Sequence, residues 1–381
     1  MDLGEFAWSE DPKGTPHVNV VHTESGLNWG GQEYRTLLEH RWLRKNGHES
    51  WLLCAAESEL YRRATREGDA YVVALSFRRP GRLDVAWRLW RFCRRRRIQI
   101  IHCHGSRDAS LALLSHIAGV PVIRSRQVTN RIKRGRSYRF GSSHVIASAE
   151  AIERLLRGAG VPADRISVVG EGVDLSEYRP DGDSRALREA LGISPETRVV
   201  MNVGMLRPDK GQQHLIEATH ALVERRHDVT VVIVGAGTGD GEHERALRGR
   251  VDALGLGGRC ILTGYRDDVP DLLRLADFVV ITSTGTEAQS RIVPQAFATR
   301  RTVVATKVGG LTERVRDRET GLVVPPADVP ALIAAIDELL DDDALRDRLA
   351  ANAYAMAQRE LGFDRMMERT LDVYRACSRR S

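Results

Sequence analysis

Cysteine is sparse in this chain and never grouped. Its five residues, Cys54, Cys93, Cys103, Cys260 and Cys377, form no C-x-x-C pair. That excludes a disulfide framework and a thiolate zinc site, and it is the pattern of reduced thiols in a cytosolic protein. No apolar run reaches the ~18 residues a membrane-spanning helix needs. The opening M-D-L-G-E-F-A-W has neither a cationic n-region nor an apolar h-region, so no secretory signal is expected. Aromatics make up 6% of the residues and do not interleave with the charges, which argues against a nucleic-acid surface. No G-x-G-x-x-G joins a strand to a helix, so a dinucleotide site is not supported. Tandem repeats and low-complexity tracts are absent as well.

What is there is a folded α/β chain. At 381 residues it exceeds one ordinary core, so two domains are expected. Apolar residues at 42% and charged ones at 28% fit a globular protein. The net charge of +6 is modestly basic and accompanies many alanine- and arginine-rich helical stretches. Short apolar runs at 17–22, 50–54, 70–73, 98–102, 120–123, 144–147 and 166–169 read as strands. Helical stretches at 34–45, 59–67, 82–96, 109–117 and 149–158 alternate with them. That alternation predicts a mostly parallel sheet covered on both faces. Periodicity stops in the Gly/Pro/Asp-rich run 170–183 and then restarts. Strands are expected at 199–203, 229–234, 260–263, 278–282, 302–305 and 321–323, with helices at 211–224, 242–254, 269–275, 293–298, 311–315, up to 340, and 344–357. Asp328 is the expected N-cap of the helix ending at 340, with Pro330 in its first turn. A last amphipathic segment covers 363–377, and residues 1–16 read as a loose arm.

Three stretches carry chemistry. The first is T-G-T-E-A-Q-S-R-I-V-P-Q-A-F-A at 284–298. A strand ending in a Gly/Thr/Ser loop that opens a helix offers unpaired N–H groups and the positive end of a helix dipole. Glu287 is expected where loop meets helix, able to accept from hydroxyls, with Gln295 two turns deeper near the same face. The set suits a phosphate-bearing polyol such as a nucleotide sugar; a buried helix start with a capping Glu is the plain alternative. In the second stretch, V-G-M-L-R-P-D-K-G-Q at 203–212, the strand stops at Gly204, and Arg207 and Lys210 flank a turn. Two cations there suit a pyrophosphate, though surface Arg and Lys are common. The third is H-C-H-G-S-R-D at 102–108, at a strand end where doubly wound sheets face ligands. His104, with Ser106 and Asp108 beside it, can bind a phosphate or move a proton, or simply pack the loop. A metal at His102 and His104 is not supported, because no third ligand is evident. Gly30-Gly31, after the first strand, let backbone approach a ligand or make a tight turn.

Together these motifs resemble family 4, GT-B-fold retaining glycosyltransferases. The resemblance is carried by R-P-D-K-G at 207–211, V-V-I-V-G-A-G at 231–237, L-T-G-Y-R-D-D-V-P-D-L-L-R-L-A-D at 262–277 and V-V-A-T-K-V-G-G-L-T-E-R-V at 303–315. E-G-V-D at 171–174 and Gly30-Gly31 complete it, and the match covers nearly the whole chain. It implies two Rossmann-like doubly wound domains facing each other across a cleft: an acceptor-side domain at 1–175, a nucleotide-sugar domain at 176–360, and a terminal helix at 361–381 packing back toward the first. It implies a nucleotide-diphospho-sugar donor held by Gly31, Gly204, Arg207, Lys210, Gly264, Tyr265, Glu287, Ser290, Arg291, Ile292 and Gln295. Gly30, His104, Arg126 and Gln127 fall on the acceptor side. Arg207 and Lys210 would stabilise the leaving diphosphate, with Glu287 on the donor sugar, so these three and His104 are the expected catalytic set. No D-x-D pair is placed in the cleft, so no metal or other cofactor is expected.

Two departures from the family pattern stand out. The usual E-x7-E is Glu287 and Gln295 here, a form that resembles the branch acting in lipopolysaccharide and cell-surface polysaccharide assembly. The usual His after the fifth strand is replaced by Gln127, in R-S-R-Q at 124–127. Acceptors in the family are often lipid-linked. The basic residues Arg91, 94–97 and 131–139 can therefore hold a cytoplasmic enzyme on an anionic inner membrane face, or can be solvated helix surfaces. Competing readings are a catalytically degenerate binding paralogue and a nucleotide-sugar epimerase or hydrolase on the same fold.

Overall fold

The structure is a computed structural model that describes residues 17–78, 83–132, 135–225, 228–237, 239–285 and 287–379. The arm expected at 1–16 lies outside them, as do Arg82, Lys133, Arg134 and Thr286. Two compact units result. The first takes the described residues up to Gln127, 131–169, and those from Met367 on. The second takes 128–130 and Gly170–Met366.

The first unit is built on seven parallel strands: β1 (Asn19–Glu24), β2 (Glu49–Cys54), β3 (Val72–Ala74), β4 (Ile100–Cys103), β5 (Val122–Arg126), β6 (His144–Ala147) and β7 (Ile166–Val168). Their order is β3-β2-β1-β4-β5-β6-β7. The chain runs outward from β1 to one edge, returns, and runs outward from β4 to the other. Consecutive crossovers therefore diverge at the carboxyl ends of β1 and β4, which is where doubly wound sheets hold ligands. One face carries an apolar core of Val21, Leu53, Ile101, Cys103 and Leu89. The other carries Leu37, Leu52, Cys54 and Leu60, and beside them an unusual run of buried polar side chains described below.

The second unit repeats the plan with β8 (Arg198–Val203), β9 (Val229–Val234), β10 (Cys260–Gly264), β11 (Phe278–Ile281), β12 (Val303–Thr306) and β13 (Gly321–Val324). The order is β10-β9-β8-β11-β12-β13, again all parallel, with its switch point between β8 and β11. The sheet is apolar on both faces, as covered parallel strands require: Met201, Val232, Val279 and Phe297 share one core, and Val200, Val231, Val280 and Ile336 the other. Asp328 caps its helix as expected, accepting from the Ala331 N–H at 2.9 Å with Pro330 in the first turn.

Local differences have local causes. The expected helix at 109–117 is two pieces, Ser106–Leu111 and Leu113–Ile117, joined at Ala112. Asp108, which reaches back to the Gly105 N–H, starts the first piece three residues early. Helices Gly135–Phe140 and Arg185–Ala190 were not expected; each is six residues with too little apolar periodicity to read.

Candidate functional site

In the second unit, Gly204–Gly211 follows β8 and Ser283–Glu287 follows β11, so the switch point brings together residues 77 positions apart. The Lys210 Nζ donates to Glu287 Oε2, and the Ser283 hydroxyl donates to the same oxygen at 3.0 Å. The Glu287 side chain is 9% exposed and that of Lys210 20%. Arg207 forms a two-pronged pair with Asp209, Nε to Oδ1 at 2.9 Å and Nη2 to Oδ2 at 2.6 Å. Although partial burial works the other way, this guanidinium keeps the Asp209 carboxyl below its usual range. The site thus holds two cations, each neutralised by a neighbouring carboxylate and both reachable from solvent.

The backbone around them is locked. Gly211 has φ 68, and a Cβ there would stand 2.1 Å from the Thr282 carbonyl oxygen. Thr284 N–H donates to the Asp209 carbonyl at 2.9 Å, and the Thr282 hydroxyl to the Lys210 carbonyl at 2.9 Å. These bonds fix the two loops to each other. Gly309 has φ 54, and its Cβ would lie 1.6 Å from the Glu287 carbonyl oxygen. That oxygen accepts from the Gly310 N–H at 3.1 Å, so the double-glycine turn sets the height of Glu287. By contrast Gly204 and Gly264 face open space, and Tyr265 is 62% exposed.

One expectation is corrected. Glu287 and Gln295 are not two turns of one helix, because that helix runs only over Ile292–Ala298. The preceding residues Gln289 and Ser290 stay in loop conformation, and Gln289 accepts from the Glu171 backbone N–H, tying the loop down. Arg291 is the N-cap, and Ile292 begins the helix and is buried. The Gln295 amide donates to the Tyr178 hydroxyl at 2.9 Å. Tyr178 was missed in the sequence; a lone buried aromatic in the Gly/Pro/Asp-rich run was the signal.

The first unit's switch point has another chemistry. In register, His22 of β1 lies beside His102 of β4, so both side chains, and His104 two residues on, stand on one face. The helix Gly31–Lys45 adds Arg35 and Glu39 one turn apart. His22 Nδ1 and His104 Nε2 are 2.9 Å apart, and all three His and Glu39 side chains are fully buried. Asp108, beside His104 in sequence, accepts the His104 backbone N–H at 3.1 Å. The ring is turned into the protein, and burial, then the Arg35 charge, lowers its pKa to about 3. The expectation of no third ligand beside His102 and His104 is likewise overturned, since His22 and Glu39 complete a group of four.

The remaining acceptor-side residues are more ordinary. Gly30 is the extended N-cap and Gly31 the first residue of its helix, so neither makes a left-handed turn. Arg126 is mostly buried and donates to the Tyr138 hydroxyl at 3.0 Å. Gln127 is half-buried just beyond β5, its amide nitrogen without a hydrogen-bond partner among the described residues. Among those residues no helix is long and apolar enough to cross a membrane.

Comparison with known proteins agrees with this architecture. The profile of Glycosyltransferase Family 4 matches residues 29–177, and that of Glycosyl transferases group 1 matches 183–356. An alpha-D-kanosaminyltransferase of Streptomyces kanamyceticus is 29% identical over 300 residues, 72% of this chain and 76% of that one. A D-inositol 3-phosphate glycosyltransferase of a Nocardioides species is 29% identical over 308 residues, 72% of this chain and 67% of that one. The crystal structure of Anabaena HepE in complex with UDP superposes with a TM-score of 0.84 over 94% of this chain and 100% of that one, at 23% identity. With both profiles in order along one chain and two Rossmann-like sheets of matching topology, the protein belongs to the family 4 glycosyltransferases of the GT-B fold.

Proposed function

We propose that the chain transfers a sugar, with retention, from a nucleotide-diphospho-sugar to a hydroxyl of a saccharide or lipid-linked acceptor. The observation that carries this is the paired cation site of the second unit. Lys210 and Arg207, held on locked loops beside open glycines, take the diphosphate, exchanging their own carboxylates for the ligand. Glu287, freed from Lys210, accepts from the donor sugar's hydroxyls. The Gln295 amide nitrogen is committed to Tyr178, which leaves its oxygen to accept from the ribose. Gly204, Gly264 and Tyr265 border the donor, and the N–H groups at Ser290–Ile292 add to the anion field. Charge on the departing diphosphate is stabilised by side chains and backbone, so transfer runs without added Mg2+ or Mn2+.

The acceptor reading is broader. Gly30, Arg126 and Gln127 are assigned to it, and a relative named for inositol 3-phosphate puts phosphorylated polyols beside lipid-linked glycans as candidates. Attachment to an anionic inner membrane face in cell-surface glycan synthesis is supported by the helix Leu83–Arg96. There exposed Leu83 and Trp87 stand beside Arg91, Arg94 and Arg95.

The test is a thermal-shift and calorimetric panel with UDP, GDP, ADP and their sugar conjugates, repeated with Lys210→Ala. One base should stabilise the protein and the variant should lose that response. No response to any nucleotide in folded protein would leave a degenerate paralogue.

A further inference from the structure

We propose that the first unit carries a structural metal site for one divalent ion of the zinc type, with His22, His102, His104 and Glu39 as ligands. One ligand atom from each residue lies within 4.8 Å of all the others. Glu39 Oε2 faces all three imidazoles, at 3.9 Å from His22 Nδ1, 3.7 Å from His102 Nδ1 and 4.0 Å from His104 Nε2. A tetrahedral ion with bonds of about 2.0–2.1 Å sets its ligands about 3.3 Å apart. The observed spacings, from 2.9 Å up to no more than 4.8 Å, bracket that value, so ring rotations close the site.

The chemistry of the donor set agrees. Three imidazoles and one carboxylate select a borderline ion over Mg2+ or Ca2+. His102 already has an outer partner, since Nε2 meets the Ser125 hydroxyl at 2.7 Å and so directs Nδ1 into the cluster. Arg35 grips the far oxygen, Oε1, of Glu39 at 2.6 Å and orients the near one. Without an ion, His22 Nδ1 and His104 Nε2, the two nitrogens that face Glu39, share one hydrogen bond between them. An ion replaces that single bond with two strong ones. His102 Nδ1 must then exchange its 2.6 Å contact with the Tyr374 hydroxyl for the metal. A site so enclosed loads as the chain folds and stays closed, as structural sites do. It ties β1, the helix after it and the end of β4 together, and it does not depend on the donor reading.

The experiment refolds the full chain from denaturant with Zn2+ or with Co2+, removes excess metal by gel filtration, and measures stoichiometry and spectra. About one ion per chain is expected, with visible d–d bands of a four-coordinate Co2+. X-ray absorption of the zinc form should show only nitrogen and oxygen neighbours near 2.0–2.1 Å. His22→Gln and His104→Gln should each lower the bound metal at least tenfold, whereas Tyr374→Phe should retain it. Refolded wild-type protein that holds no ion, a sulfur shell near 2.3 Å, or binding unchanged in both glutamine variants would each overturn the site. If those variants fail to fold, the wild-type absorption spectrum decides alone.

Discussion

The six strands of the second sheet repeat the order of the first six in the seven-stranded sheet, yet the two switch points are made of opposite materials. At β8 and β11 the loops end in glycines, cations and carboxylates that solvent reaches. At β1 and β4 the same topological position is closed, packed with three imidazoles, Glu39 and Arg35 at essentially no exposure. A switch point supplies only a place where loops diverge; what it can do depends on the residues at the strand ends. Open glycines with solvent-reachable cations suit a charged ligand that comes and goes. Enclosed imidazoles suit something that never leaves.

The largest effect that should break the contrast comes from the backbone that holds the open site in shape. Gly309→Ala places a methyl on the Glu287 carbonyl oxygen at a positive φ. It should cost on the order of 3 kcal/mol, with donor binding lost because Glu287 is displaced. Denaturant melts and nucleotide titration read both. Next is Lys210→Ala, expected to weaken donor binding or turnover by about 1–3 kcal/mol, roughly 5- to 150-fold. Arg207→Ala should fall at the lower end of that range, since Arg207 is more exposed than Lys210. Unchanged donor affinity in both would remove the diphosphate assignment.

These residues differ in how legible they were. Arg207, Lys210 and Glu287 stood out because cations and a carboxylate next to small-residue loops after β-type runs are a local pattern. Their mutual contact was not legible, since it arises only when β8 and β11 become neighbours. Strand–helix alternation was legible for the same local reason, with errors of up to three residues at strand ends. The histidine cluster was hidden. Its members sit on two strands and a helix, and only the His22–His102 register together with the face of the following helix assembles them. H-x-H alone read as a pair. Gln295 was legible as a polar group on a helix, but its Tyr178 partner came from the linker run, where no periodicity points to contacts.

A smaller effect sharpens the comparison at that partner. Tyr178→Phe removes the hydroxyl that takes the Gln295 amide proton. About 1 kcal/mol of stability should go, and the donor KM should rise a few-fold as the amide loses its orientation, while kcat stays close to wild type. A kcat loss with unchanged KM would place Gln295 in the chemical step instead.

The smallest effect belongs to the closed side. Gln127 follows β5 with its amide nitrogen buried and without a partner among the described residues, a poor fit for a residue shaped by its present surroundings. Family 4 enzymes often carry a histidine at this position. Gln127→His removes the unsatisfied amide and restores a ring with one donor and one acceptor. Thermal stability should hold, and turnover with the best donor should rise modestly. A fall in turnover with stability intact would mean that the glutamine already serves the acceptor. The half-burial of this position would then mark where the first unit opens toward its substrate.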